Sequence, residues 1–116
     1  METNHQYHLS IPLNVDSLDD IPEGVLWEDV KFEEYQISKA DYDNLFDLFC
    51  QFDKPFNTII DEYEEDEIAA DKIQPVIEMT EAYAAEASPE IKASTEKLLV
   101  VLRRAKELGK QILLSF

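Results

Sequence analysis

Hydrophobic and polar residues alternate near the start of the chain, and this pattern predicts a β-strand. Tyr7, Leu9, Ile11 and Leu13 are separated by single residues, as expected when one face of a strand is buried. Because Pro12 has no N–H group to donate to a sheet, the strand should lie at an edge or end near that residue. The Asp-, Ser- and Pro-containing segment that follows is expected to form a loop.

The pattern is less regular over residues 25–37. Val30 and Phe32 fall on one parity of an alternating pattern, whereas Tyr35 falls on the other. A strand with a bulge at residues 33–34 would reconcile the two parities, because a bulge shifts the alternation by one residue. A short extended segment followed by a loop is the alternative.

Four helices are predicted in the middle of the chain from capping residues and from apolar spacings of three and four. Their approximate ranges are residues 38–53, 55–67, 71–87 and 88–109. Ser38 and Asp41 resemble a capping box, and Asp71 with Gln74 would form another. Ser88 followed by a proline is a helix-start signal, and a later glycine is the expected C-terminal cap. Pro75 should fall in the first turn of the third helix.

The last segment, residues 110–116, is nearly all apolar and too short for a further helix after the glycine at position 109. It is expected to be a strand that is buried on both faces and pairs with the first strand. The predicted fold class is therefore α+β, with a small sheet pairing the N- and C-terminal strands and packed against about four helices. Residues 1–116 are expected to form a single acidic domain.

The composition restricts the possible functions more than it restricts the possible folds. The chain has 116 residues, of which 45% are hydrophobic, so a packed core is expected rather than a disordered acidic tail. Its 26 acidic and 10 basic residues give a formal net charge of -16. This charge argues against direct binding to nucleic acid or to anionic lipid, because phosphate contacts depend on Lys and Arg.

Targeting and redox signals favour a cytoplasmic location. Cys50 is the single cysteine, so an intrachain disulfide is not possible. The first residues lack the basic start and apolar core of a signal peptide, and no apolar run approaches the length of a membrane span.

Candidate chemistry for an enzyme is scarce. His5 and His8 would point to opposite faces of a strand, which does not favour a metal site. Cys50 adjoins an apolar helical stripe and is expected to be a small buried residue rather than a nucleophile. Only two glycines are present, so a phosphate-binding loop is not expected, and the acidic run at 61–67 lacks the central glycine of a calcium loop. We therefore expect no enzymatic activity, no cofactor and no metal site.

The charge is divided unevenly along the chain. Residues 1–90 contain 24 acids and 4 bases, whereas residues 91–116 contain 2 acids and 6 bases. The cations of the last helix could pair with nearby acids of the same chain. Such pairing cannot absorb an excess of 16 negative charges, and an excess of this size favours a basic partner or a solubility role.

Aromatic residues lie among the acids, which favours the basic partner. Tyr and Trp commonly anchor protein interfaces, and complementary charge accelerates association. For Trp27 ordinary core packing is the alternative to a role at the surface. The predicted partner-binding residues are Asp61, Glu62, Tyr63, Glu64, Glu65, Asp66, Glu67, Trp27 and Tyr35.

These observations favour a non-catalytic module that binds a basic protein, such as a toxin or a nucleic-acid enzyme, as a monomer or weak dimer. The chain resembles bacterial immunity proteins and antitoxins in composition and general layout, and this resemblance implies an inhibitor of a basic toxin such as a nuclease. The alternative is a DNA mimic of the phage type that inhibits DNA-processing enzymes. A small enzyme is the third and least supported hypothesis.

Overall fold

The computed structural model describes residues 7–14, 23–24, 26–56 and 65–116, and only the backbone at Trp27, residues 53–56 and Glu65. Four strands and three α-helices are formed by these residues, with short 3-10 turns at Trp27–Asp29 and Ala70–Lys72. In chain order the elements are β1 (Tyr7–Pro12), β2 (Phe32–Ile37), α1 (Lys39–Phe56), β3 (Glu65–Ile68), α2 (Ile73–Ala85), α3 (Pro89–Leu108) and β4 (Ile112–Ser115). The predicted α+β class is confirmed.

The strands form one antiparallel sheet in the order β2-β1-β4-β3. The predicted pairing of the first and last strands is confirmed, and these two strands occupy the centre of the sheet. Strand β1 is therefore not at an edge of the sheet. It ends at Pro12, which is the other outcome predicted for a strand with a proline at this position. Leu13 lies beyond the strand and is exposed, so its predicted place in the buried stripe is wrong. In β4 the side chains of Ile112 and Leu114 are buried and Leu113 is half-buried, so its burial is one-sided rather than two-sided.

Strand β2 is regular, and the predicted bulge is wrong. It pairs with β1 without interruption from Tyr7 opposite Ile37 to Pro12 opposite Phe32. Phe32 and Tyr35 fall on different parities of the alternating pattern because Phe32 lies on the side of the sheet away from the helices. Glu33 and the alternate residues after it share the side that faces the helices.

The described residues form three α-helices rather than about four. Helix α1 continues through Pro55 to Phe56, where the missing proline N–H costs one hydrogen bond in the last turn. Most of the predicted second helix, residues 57–64, lies outside the described residues. The part expected to continue it, residues 65–67, is in strand β3, because β4 supplies a backbone ladder and Ile68 reaches the core.

Local capping signals were correct for two helices and wrong for one. The Ser38 Oγ atom accepts from the Asp41 N–H at 3.0 Å, and the Asp41 carboxylate accepts from the Ser38 N–H at 3.3 Å, which completes the capping box of α1. At α2 the expected box does not form, because a 3-10 turn occupies Ala70–Lys72 and helix residues begin only at Ile73. Pro75 is in the first turn, as predicted.

Helix α3 has the predicted caps at both ends. Ser88 precedes it, and its Oγ accepts from the Ile91 N–H at 3.4 Å. Gly109 follows it with φ of +69°, a left-handed conformation that favours glycine.

The described helices pack on one side of the sheet, around an aromatic cluster. The Tyr7 ring of β1 stacks on Tyr42 of α1 with a centroid distance of 4.8 Å. Phe116, directly after β4, contacts Tyr42 at 5.4 Å and Phe49 at 5.3 Å between centroids. Aromatic contacts of this kind stabilise beyond the area they bury, so the cluster fixes α1 onto the two central strands.

Candidate protein-binding surface

The sheet order separates the predicted binding residues into two groups. Trp27 begins the turn before β2 and Tyr35 lies in β2, whereas residues 65–67 lie in β3. Strands β2 and β3 are the opposite edges of the sheet, three strand spacings or about 14 Å apart. Four of the predicted residues lie outside the described residues: Asp61, Glu62, Tyr63 and Glu64. The candidate surface is therefore divided between two acidic edges of the sheet and does not form one continuous patch.

At the β2 edge, Tyr35 belongs to a network within the chain. Its hydroxyl donates to Glu33, and Glu33 also accepts from the Arg104 Nε atom at 3.0 and 3.2 Å. The hydrogen bond from Tyr35 and that from Arg104 both lower the pKa of Glu33. The bond to Glu33 in turn raises the pKa of Tyr35. Glu33 is thus held as an anion, and the half-buried Tyr35 packs against the core.

Beside this network the β2 edge has a more accessible part. Leu26 is 58% exposed and precedes the turn that contains Glu28 and Asp29, both of which are exposed. Asn14 fixes the turn, since its Nδ2 donates to the Asp29 carbonyl at 2.8 Å and its Oδ1 accepts from the Lys31 N–H at 2.8 Å. An exposed apolar side chain next to carboxylates is a combination that protein interfaces use.

At the β3 edge, the carboxylates of Asp66 and Glu67 accept hydrogen bonds from polar groups of the chain. Gln111 donates through Nε2 to the Glu67 Oε2 atom at 2.6 Å. The Asp66 Oδ1 atom accepts from the Glu67 N–H at 2.7 Å. Both contacts come from neutral groups of the chain, and they orient these two carboxylates.

The side of the sheet away from the described helices, which we call the outer face, brings the two edges together in rows. Ser10 of β1 lies opposite Glu34 of β2 and also opposite Leu113 of β4, and Leu113 lies opposite Glu67 of β3. The next row, by the same pairing, is Gln36, His8, Ser115 and Glu65. Neither row contains Lys or Arg, and both end in an acid at β3.

A buried polar cluster joins α1 to α3, and sequence reasoning missed it. The Asp41 carboxylate accepts from the Lys97 Nζ at 2.8 Å, from the Ser94 Oγ at 2.8 Å and from the Ser38 Oγ at 3.0 Å. Asn44 donates to Ser94 at 3.1 Å. Burial raises the pKa of Asp41, but these hydrogen bonds outweigh it and lower the pKa from 3.8 to about 2.

The chemistry of this cluster is structural. A serine beside a lysine can act as a nucleophile, but Ser94 is only 1% exposed and its hydroxyl donates to a carboxylate. The Lys97 Nζ atom donates to the same carboxylate at 2.8 Å. The capping box gave the signal for Asp41, whereas nothing in the sequence pointed to its partners on α3.

Three of the cations of α3 are paired inside the chain. Lys97 pairs with Asp41 at 2.8 Å and Arg103 with Glu81 at 3.7 Å. Arg104 pairs with Glu33 at 3.0 Å and with Glu107 at 3.3 Å. Lys106 donates to the neutral side chain of Gln74. Internal pairing is confirmed for Lys97, Arg103 and Arg104, so much of the basic helix is neutralised within the fold.

Other candidate chemistry is not assembled in the described part of the chain. Cys50 is exposed rather than buried, because it lies off the helical stripe that buries Phe49 and Phe52. His5 is outside the described residues and His8 is half-buried on the outer face. Across residues 7–14, 23–24, 26–56 and 65–116, no group of three His, Cys, Asp or Glu could hold a metal ion. None of the described helices is long and apolar enough to cross a membrane.

A groove of about 570 Å³ lies where the end of α2 and the start of α3 meet α1. Its lining includes Gln51, Met79, Tyr83, Glu86 and Ile91. Of the described residues that line it, Glu86 is the one carboxylate and none is a histidine or a cysteine. The groove therefore brings together no acid–base pair or activated nucleophile.

No protein-family model matches the sequence, and comparisons with curated proteins and with solved structures give no significant match. The functional argument therefore depends on the charges and contacts of this chain.

Proposed function

We propose that this chain is a non-catalytic acidic module that binds a basic protein, and that it acts as an inhibitor of the immunity-protein or antitoxin type. One observation carries the proposal. Three cations of α3 are already paired by acids of the chain itself, and yet the net charge of the whole is -16. The unpaired charge is negative, and a basic protein would supply the complementary cations.

Inhibition would follow from occupation of a phosphate-binding cleft. A nuclease binds its substrate with Lys and Arg, so carboxylates of this chain can compete for the same cations. Long-range attraction would speed the encounter, and an apolar side chain such as Leu26, beside Glu28 and Asp29, would add contact at short range.

The DNA-mimic alternative is kept because of one observation. Mimicry needs carboxylates over an extended surface, and the sheet carries acids at both of its edges, about 14 Å apart. Inhibition of several unrelated DNA-processing enzymes would favour mimicry, whereas one tight partner would favour an immunity protein or antitoxin.

Salt dependence tests the proposed function. The immobilised full chain is offered a panel of basic nucleases and a matched panel of acidic enzymes at about 50 mM and about 500 mM salt, which shortens the Debye length several-fold. We expect retention and inhibition of at least one basic nuclease at low salt, with at least a tenfold loss of affinity at high salt. No retained basic protein, or binding that is insensitive to salt, would overturn the proposal.

Charge reversal in the acidic run at residues 61–67, whose last three residues lie in β3, tests where a retained nuclease binds. Replacing Glu64, Glu65 and Glu67 together by Lys should weaken binding, since a basic partner would then meet cations. The matched control replaces Glu78, Glu86 and Glu90 by Lys, because these exposed acids lie on α2, directly after it and at the start of α3. Unchanged affinity in this triple variant would contradict the acidic run as part of the interface.

A further inference from the structure

The outer face of the sheet has an acid at each of its edges, and the residues between them are neither acids nor Lys or Arg. In the first row Glu34 of β2 is exposed and Glu67 of β3 is half-buried, while Ser10 and Leu113 lie between them. The second row has the amide of Gln36 at β2, then His8, the exposed Ser115 and finally Glu65. The arrangement is a strip without acids, Lys or Arg along the two central strands, with carboxylates on either side.

The width of this strip matches an α-helix. Three strand spacings of about 4.8 Å place the two edges about 14 Å apart. An α-helix with its side chains is about 10–12 Å across, so it can lie along β1 and β4 without displacing either edge. The three described helices occupy the opposite side of the sheet, where Leu9, Ile11 and Leu114 are buried.

We propose that the outer face is a docking surface for a basic α-helix of the partner protein, an inference that rests on the proposed function. Its Lys and Arg side chains extend to Glu34 on one flank and to Glu67 on the other. Small or apolar residues on its underside contact Ser10 and Leu113. Charge complementarity selects this occupant, because Glu34 and Glu67 lie at the two flanks and neither row contains Lys or Arg.

An extended peptide that pairs with one edge strand would contact the acids of only one side of the sheet. Such a peptide pairs its backbone with a single edge strand, so it reaches the acids of β2 or those of β3. A helix laid over the central strands reaches both sets at once. The chosen geometry thus makes a specific prediction: acids on opposite edges contribute to the same binding event.

The probe is a synthetic helical peptide with Lys on both flanks of an Ala- and Leu-containing strip, measured by fluorescence anisotropy at low salt. The full chain should bind it more tightly than it binds a peptide of the same composition in scrambled order. In the ¹⁵N-labelled chain, the amide signals of Ser10, Leu113 and Ser115 should shift on titration. Shifts confined to residues of α2 and α3 would overturn the proposed surface.

Two variants test the surface, each with a control of equal charge. Glu34→Lys/Glu67→Lys should weaken peptide binding at least tenfold, while Glu78→Lys/Glu86→Lys, on and directly after α2, should change it less than about threefold. Ser115→Lys introduces a cation into the strip without removing an acid and should also weaken binding, whereas Ala93→Lys on the exposed side of α3 should not. Circular dichroism checks that each variant is folded, and the Ser115→Lys pair retains the test if the Glu67 variant is not.

The outcomes separate this inference from the proposed function. Equal weakening by the outer-face and α2 variants would show attraction to charge in general, and it would overturn the outer face while leaving the proposed function intact. Binding of a basic nuclease without binding of the helical peptide would overturn the helical partner alone. A chain that binds neither the nucleases nor the peptide would remove the proposed function and this inference together.

Discussion

Helix α3 contacts its two neighbouring helices through two different kinds of ion pair. Toward α1, Lys97 reaches the Asp41 carboxylate, whose side chain is only 9% exposed and which accepts several further hydrogen bonds. Toward α2, Arg103 lies 3.7 Å from Glu81, and both side chains are more than half exposed. Exposed pairs typically contribute about 0–1 kcal/mol, whereas removal of one partner from a buried, hydrogen-bonded pair costs several times more. The contacts of α3 with its neighbours are thus similar in type but very unequal in expected strength.

The largest effect is expected from Asp41→Ala. The substitution removes the closer acceptor of the buried Ser94 hydroxyl, leaves the Glu90 carbonyl at 3.4 Å as the other, and removes the capping box of α1. We therefore expect a loss of about 2–4 kcal/mol in the free energy of unfolding. Urea denaturation followed by circular dichroism measures this loss. The matched control is Asp43→Ala, in the same helix, where an exposed carboxylate pairs only with Lys39 at 3.3 Å. Equal losses in the two variants would contradict the difference between buried and exposed pairs.

A smaller effect is expected when the pH is lowered. Because the pKa of Asp41 is lowered from 3.8 to about 2, its contribution to stability is present above about pH 4 and is lost as the pH falls through 3.8 toward 2. The difference in unfolding free energy between the wild type and Asp41→Asn should therefore shrink by about 2 kcal/mol between about pH 6 and pH 2. Comparison with the variant cancels the titration of the other carboxylates. A difference that stays constant over this range would contradict the assignment.

The smallest effect is expected from Glu81→Gln at the α2 contact. Loss of this exposed pair should change the free energy of unfolding by less than about 0.5 kcal/mol, and added salt should reduce even that difference. Urea denaturation at low and at high salt provides the measurement. A loss as large as that of Asp41→Ala would contradict the expected difference between the two contacts of α3.

Most features that depend on neighbouring residues were predictable from the sequence, although the capping box expected at α2 does not form. The caps of α3 at Ser88 and Gly109 and the capping box of α1 are local hydrogen-bond or backbone requirements, and all of them form. The alternation in β1 likewise reports directly on which side chains are buried. In contrast, Asp41 binds Ser94 and Lys97 more than fifty positions away, and only the tertiary fold brings them together.

The end of the acidic run lies in strand β3, although the sequence predicts a helix there. Three consecutive acids have low intrinsic preference for a strand, and helical spacing in the preceding residues favoured continuation of a helix. The ladder to β4 and the burial of Ile68 override that preference. Charged residues at a sheet edge also discourage pairing with other chains, which is a physical role for acids in this strand.

The candidate site was only partly accessible to sequence reasoning. Residues 65–67 and Tyr35 were identified individually, but strand order decides that they lie at opposite edges. Strand order depends on which strands pair across long stretches of chain, and no local pattern encodes it. Glu34 and Glu67 share a row only because β1 and β4 lie between their strands.

The central place of β4 has a consequence for the order of events during synthesis. Leu114 pairs with Leu9, and Ile112 with Ile68, so this strand connects the β1–β2 pair to β3. While the ribosome is still adding α3, both β1 and β3 are already made, but the strand that joins them is not. Contacts so distant in sequence form slowly, because the intervening chain must be ordered first. Completion of the sheet is therefore a late step. Until β4 has been synthesised, β1 and β3 each have an edge that lacks its partner strand.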